Sequence, residues 1–273
     1  MNIPLPIVCP DDLATLKDSP EGLLCAHCSR LFPIVDGVPQ LLSHELEMES
    51  SSEKLQMHAY GRTFSSHSDR RWRRSMGSLI NVFGNGYLYS WASKVLESGS
   101  DGRQLTILDA GCGDGILRRY LCPRHTYAGV DFSMRPLLRA KRNPGIYLRA
   151  GLSHLPFPKN TFDVAVSLQA LQYVPRPEDC LIQIARVLKP GGKLLLSVPN
   201  GESFKYKRKR NPEIQIQRFD RHSVPALLAN EFQLINMQAK GAWIPLPLIS
   251  IHIPGTYSAT HGLSWAAAAI SKR

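Results

Sequence analysis

One stretch constrains this chain more than any other. An apolar run, Leu105 to Ala110, leads into Gly111-Cys112-Gly113-Asp114-Gly115, and a second apolar run ends on Asp131, 20 residues after Gly111. A strand that feeds a glycine-rich turn and then a helix is the opening of a βαβ unit, whose crossover requires a parallel sheet. Glycines at alternate positions let the backbone turn sharply and come close to a ligand. The dinucleotide fingerprint needs its third glycine at position 116, which is Ile116. No Gly-Lys-Ser/Thr follows for a triphosphate, and no Lys or Arg cluster stands in the loop for a pyrophosphate. The acid at Asp131 can accept hydrogen bonds from two ribose hydroxyls. The loop therefore suits a nucleoside without phosphates.

Short apolar runs continue through the second half of the chain. They predict strands at 105–110, 127–131, 146–149, 164–168 and 193–198, with later strands at 232–239 and 264–270. A helix is expected over 178–188, its apolar face carrying Leu181, Ile182, Ile184, Ala185, Val187 and Leu188. Pro190-Gly191-Gly192 should then turn the chain into the next strand.

The stretch from Leu108 to Asn200 resembles the class I S-adenosylmethionine-dependent methyltransferases. The resemblance rests on the glycine loop, Tyr127-Ala128-Gly129-Val130-Asp131-Phe132-Ser133, Leu155-Pro156-Phe157-Pro158, Phe162-Asp163-Val164, and Ala185 to Leu194 through Lys189-Pro190-Gly191-Gly192. It implies an α/β fold: a Rossmann-like, seven-stranded methyltransferase domain over 104–273. It also implies that Gly111, Cys112, Gly113 and Gly115 wrap the methionine end of the cofactor, and that Asp109 orients its amino group. Asp131 would hold the ribose hydroxyls, with Phe132 against the adenine and Ser133 next in the chain. Gly151 and Leu152 would edge the adenine, and Leu168 and Gln169 would complete the site. Many relatives carry Asp where Gly151 stands, so this chain must meet the adenine there by other means. The bland alternatives are that Leu168 is core and Cys112 a loop filler.

The acceptor is less constrained. The region after the fourth strand reads Gln169-Ala170-Leu171-Gln172-Tyr173, which lacks the Asn/Asp-Pro-Pro-aromatic signature of certain amino-methylating enzymes. Gln172, Tyr173 and His222 are candidate acceptor neighbours, and no catalytic base is assigned. A small-molecule or glycolipid-like acceptor (O- or N-methylation) is the leading expectation. The formal net charge of +11, the arginines at 70, 71, 73 and 74, and the basic run Lys205 to Arg210 favour acidic partners and keep an RNA base methyltransferase as the rival. A non-catalytic methyltransferase-like scaffold is the third reading. The apolar stretch 243–253 is read as an acceptor lid or as edge packing.

Residues 1–42 differ in character. Cys9-Pro10-Asp11-Asp12, Cys25-Ala26-His27-Cys28 and the segment Phe32 to Leu42 resemble the small zinc-ribbon activator subunit of tRNA, ribosomal RNA and protein methyltransferases. That pattern places Cys-x-x-Cys at both ends. Here the fourth position is Asp12, which makes Cys9, Asp12, Cys25 and Cys28 the candidate ligands of a structural zinc, with His27 as an alternative. The resemblance implies a module that packs on the catalytic domain and does no chemistry. Residues 43–103 are expected to be a helical linker and N-terminal helices. The chain shows no long apolar run and no signal-peptide pattern, so a cytoplasmic protein without a membrane span is expected.

Overall fold

The structure is a computed structural model and describes residues 4–48, 86–203, 217–245, 250–259 and 264–273. The basic runs at 70–74 and 205–210 lie outside the described residues.

The N-terminal unit is a four-stranded antiparallel sheet in sequence order: β1 Leu16–Ser19, β2 Gly22–Cys25, β3 Leu31–Val35 and β4 Val38–Pro39. A short helix, α1 His44–Met48, follows it, and α2 Gly86–Ser98 precedes the main sheet. That sheet takes β5 Thr106–Ala110, β6 Thr126–Asp131, β7 Ile146–Arg149, β8 Phe162–Leu168, β9 Leu188–Pro199, β10 Phe232–Pro245, β11 Ser250–Tyr257 and β12 Ser264–Ser271. Their order across the sheet is β11-β10-β12-β9-β8-β5-β6-β7. β5 to β9 pair in parallel, whereas β12 runs antiparallel between β9 and β10.

Alternation of side chains sorts the core into two faces. Leu108, Ala110 and Val130 share one face with α4 Pro177–Val187 and α5 Ser223–Leu228. Ile107, Val164 and Val166 share the other with α2 and with α3 Met134–Ala140. α4 forms where the 3.6-residue period predicts it. Pro177 opens it, Glu178 and Asp179 complement the helix dipole in its first turn, and Leu181, Ile184, Ala185 and Val187 are buried. Ile182 is the exception: one step round the helix from Leu181, it is 42% exposed.

Two expectations change. Among the described residues the main sheet has eight strands rather than seven. β10 continues past a register shift between Lys240 and Ala242 as far as Pro245, and β11 folds back on it antiparallel. The backbone of 243–245 and 250–253 is thus strand at the sheet edge. In addition, Pro190-Gly191-Gly192 turns the chain within β9: Leu188 already pairs with Phe162, and regular pairing resumes at Lys193 with Val164.

The N-terminal sheet is joined to the main one. Val8 N–H donates to Pro156 O (3.0 Å) and Leu41 N–H to Arg149 O (2.7 Å), and Gln40 forms a parallel bridge with Arg149. Cys9, Leu23, Cys25, Phe32 and Leu41 belong to the same buried cluster as Leu108 and Val130. The bridge covers the edge strand β7, which would otherwise offer unpaired backbone groups. Among the described residues no helix is long and apolar enough to cross a membrane.

Candidate cofactor and metal sites

The turn after β5 is tied to the end of β6. Gly111 and Cys112 donate their N–H groups to Val130 O at 2.8 and 3.0 Å. Gly113 N–H donates to Asp131 Oδ2 (2.9 Å), and Ser133 N–H donates to Asp131 Oδ1 (2.8 Å). Both oxygens of this buried carboxylate are oriented, and each keeps capacity to accept from a ligand hydroxyl. Gly111 and Gly113 have φ of 85° and 51°, in the left-handed region. A Cβ at Gly111 would lie 2.4 Å from Ala170 Cβ, so the turn there is packed tightly. At Gly113 a Cβ would meet no atom of the described residues within 4 Å, so among these residues nothing packs against this peptide.

Burial governs the site's electrostatics. Asp109 is pushed up to about 7 by burial and by the neighbouring Asp131 charge, against a hydrogen bond from Tyr127 Oη at 2.5 Å. Asp131 is pushed up to about 6 by burial, against the two backbone donors. Burial also raises the Cys112 thiol well above its ordinary value. Its sulfur packs where a Cβ on Gly129 would stand, 2.8 Å away, so Cys112 is a protonated filler behind the loop.

The other expected residues divide. Phe132 is half-buried beside Asp131, with the Arg149 guanidinium 5.4 Å from its ring centroid and Arg149 Nε donating to its carbonyl at 2.9 Å. Gly151 and Leu152 follow β7 at the same end of the sheet, and Leu152 lies near Gly111. Leu168 is 8% exposed and packs in the α2-side core. Gln169 takes φ of 58°, a strained conformation of the kind that concentrates at functional sites. Its amide donates to Ser197 Oγ and Ser264 Oγ, both at 3.2 Å, toward β9 and β12 rather than toward the glycine loop. Gln172 is buried, with its Nε2 donating to Gln169 O (2.9 Å) and its Oε1 without a hydrogen-bond partner among the described residues. His222 is exposed at the N-terminus of α5, a helix-start residue.

Sequence reasoning missed the contribution of α1. Leu46, 9% exposed, places its Cδ1 2.1 Å from where a Cβ on Gly151 would be. Glu45 reaches His154 Nε2 (3.3 Å) and Arg176 (3.2 Å). The only hint in the sequence is Gly151 itself, since a side chain there would collide with Leu46.

In the N-terminal unit, the ligand atoms of Cys9, Asp12, Cys25 and Cys28 all lie within 4.8 Å of one another, the closeness a single metal ion requires. Cys9 Sγ is 3.8 Å from Cys28 Sγ, and Cys25 Sγ is 3.5 Å from both Asp12 oxygens. The N–H groups of His27 and Cys28 point at Cys25 Sγ, each at 3.4 Å, as donors that stabilise a thiolate. His27 stands outside this set, with Nδ1 3.0 Å from Asp12 Oδ2. It suits the role of a partner that orients a ligating carboxylate. Burial pushes the Cys9 thiol up to about 12, so a metal there must displace a proton.

Residues 108–196 match the family model described as a methyltransferase domain. This segment is similar to methyltransferase domains. Over 115 residues the chain is 34% identical to a malonyl-[acyl-carrier protein] O-methyltransferase of Erwinia pyrifoliae, covering 41% of this chain and 44% of that protein. Over 99 residues it is 35% identical to a trans-aconitate 2-methyltransferase of Mycobacterium ulcerans, covering 36% and 38%. The chain thus spans less than half the length of these curated relatives. A crystal structure of an SAM-dependent methyltransferase from Thermotoga maritima superposes with a TM-score of 0.57 at 19% identity, over 80% of this chain and all of that one. At that identity the likeness speaks for the fold.

Proposed function

We propose that the chain is an S-adenosylmethionine-dependent methyltransferase acting on a small-molecule acceptor, with a zinc-bearing ribbon at its N-terminus. The observation that carries the reading is the buried Asp131 carboxylate, both oxygens oriented by loop amides, beside a Gly113 peptide against which none of the described residues packs. Asp131 would hold the ribose hydroxyls, Phe132 the adenine, the peptides from Gly111 to Gly115 the methionine end, and Asp109 its ammonium group. The bound cofactor supplies a methyl group already activated on a sulfonium centre. The protein's share is then to align the acceptor and exclude water. In the segment after β8 stand neutral polar side chains, Gln169, Gln172 and Tyr173.

The small-molecule acceptor is supported by the relatives, whose names are those of enzymes that methylate malonyl and trans-aconitate groups. O-methylation, including that of a glycolipid-like acceptor, is accordingly the leading form and N-methylation the other. The net charge of +11 is the observation that favours an RNA acceptor instead. In a filter-binding titration, an RNA enzyme would bind RNA at low salt and lose affinity steeply as salt rises.

Calorimetry with S-adenosylhomocysteine tests the cofactor site. Replacing Asp131 with Ala removes charge-assisted contacts of about 1.5–3 kcal/mol, so affinity should fall roughly tenfold to a hundredfold. Unchanged affinity would refute the ribose role.

A further inference from the structure

The N-terminal unit does more than lie against the catalytic domain. Its last strand runs directly into the residues that flank the cofactor site. Gln40, 9% exposed, sits between the two sheets. Its Oε1 accepts from Arg149 (3.1 Å), while its Nε2 donates to Val38 O (2.8 Å). That same Arg149 guanidinium holds the Phe132 carbonyl and lies over the Phe132 ring. Ser43, fully buried, accepts the Leu46 N–H at 3.3 Å and starts α1. α1 then lays Leu46 on Gly151, while Glu45 reaches His154 and Arg176. These contacts stretch along the rim from the end of β7 to the loop before α4.

We infer that residues 40–46 form the wall of the cofactor site at its adenine end: Leu46 contacts the base, and Gln40 is a positioning residue that sets Phe132 through Arg149. The inference rests on the S-adenosylmethionine reading above. Gly151 leaves the floor of this corner without a side chain, and Leu46 fills that space from the other unit. The corner is apolar where Leu46 meets Gly151. The exposed ion pairs of Glu45 hold α1 in place only weakly, so the buried contacts of Leu41, Gln40 and Ser43 carry the anchoring. A flat aromatic base is the ligand such a corner suits, because it gains by burial against a leucine side chain.

The test is S-adenosylhomocysteine affinity, measured by calorimetry on the full chain with the melting temperature of each unliganded variant as a folding control. Leu46→Ala should weaken binding about fivefold, and Leu46→Met, which restores apolar contact, should return it to within about twofold of the native chain. Gly151→Ala should also weaken binding, because its methyl displaces Leu46, but should add little in the Leu46→Ala background, where the space is vacated. Native affinity in Leu46→Ala, or strictly additive losses for the pair, overturns the inference. If Leu46→Ala fails to fold, equal affinity of the Leu46→Met and Leu46→Asn chains overturns it instead. The parent reading fails separately: a native chain that does not bind S-adenosylhomocysteine, or an Asp131→Ala chain that binds as well as native, removes that reading and this inference with it. Loss at Asp131 without loss at Leu46 removes the inference alone.

Discussion

Asp109 and Asp131 are two carboxyls buried close together, and each titrates above the ordinary carboxylate range because burial disfavours its anion. Their folded values, about 7 and about 6, lie above the unfolded value, so their contribution to stability is fully present below about pH 4. It is lost as pH rises through those folded values. Ligand binding should run the other way. The ammonium group and ribose hydroxyls of S-adenosylhomocysteine both favour ionised carboxylates, so affinity should rise between about pH 5.5 and 7.5 with net release of protons near pH 6. Calorimetry in two buffers of different ionisation heat reads that release directly, and a flat affinity with no proton exchange would remove both acids from the site. The glycines divide just as sharply. Gly111→Ala places a methyl 2.4 Å from Ala170 Cβ at a φ of 85°, so it should destabilise the fold by about 1–3 kcal/mol. At Gly113 no atom of the described residues stands in the way, so Gly113→Ala should melt closer to the native chain yet lose affinity for S-adenosylhomocysteine. Equal melting losses at the two positions would contradict the packing described for the loop.

At the scale of elements, the sequence was most legible where one local rule fixed the outcome. Apolar runs bounded by turns place β5 to β8 to within two residues, and the 3.6-residue period places α4 to within one. Asp131 was legible too, because a strand-end acid at fixed distance from a glycine turn has one geometric consequence. What escaped were features decided by distant partners. β11 exists because β10 offers it an edge, and nothing in residues 250–257 announces that edge. Gln169 aims at Ser197 and Ser264, on strands 28 and 95 residues away in the chain. The junction of β4 with β7 is of the same kind, since it depends on Leu41 and Arg149 meeting across 108 residues. Leu41 is fully buried in the cluster shared by the two units. Leu41→Ala should therefore cost about 2–5 kcal/mol, read as a lower denaturant midpoint of the whole chain. A midpoint unchanged within error would mean that the N-terminal sheet contributes nothing to the stability of the main one.

At the scale of the whole molecule, the Cys9, Asp12, Cys25 and Cys28 group and the proposed cofactor site are linked through β4 and residues 40–46. Cys9 and Asp12 precede β1, Cys25 ends β2 and Cys28 lies in the turn before β3, so a metal shared among them would tie these segments together and supply much of the folding free energy of so small a unit. β4 is continuous with Gln40, Leu41 and α1, which meet Arg149 and Gly151. Loss of the metal should loosen β1 to β4 first and release residues 40–46 from the rim of the cofactor site. Zinc-free protein, prepared with a chelator and still folded in its main sheet, should therefore bind S-adenosylhomocysteine more weakly, by about fivefold or more. Thermodynamic linkage then requires the reciprocal effect: saturating S-adenosylhomocysteine must raise zinc affinity by the same factor. Competition with a chromogenic chelator, with and without the nucleoside, measures that factor independently of any methyl-transfer assay. The Cys25→Ser chain should reproduce the weaker nucleoside binding and lose its response to added zinc. Equal S-adenosylhomocysteine affinity in the zinc-loaded and zinc-free proteins would uncouple the two sites and leave the N-terminal unit a passive support for the sheet edge. A coupling factor above one in both directions would make it a wall of the cofactor site whose order depends on the metal.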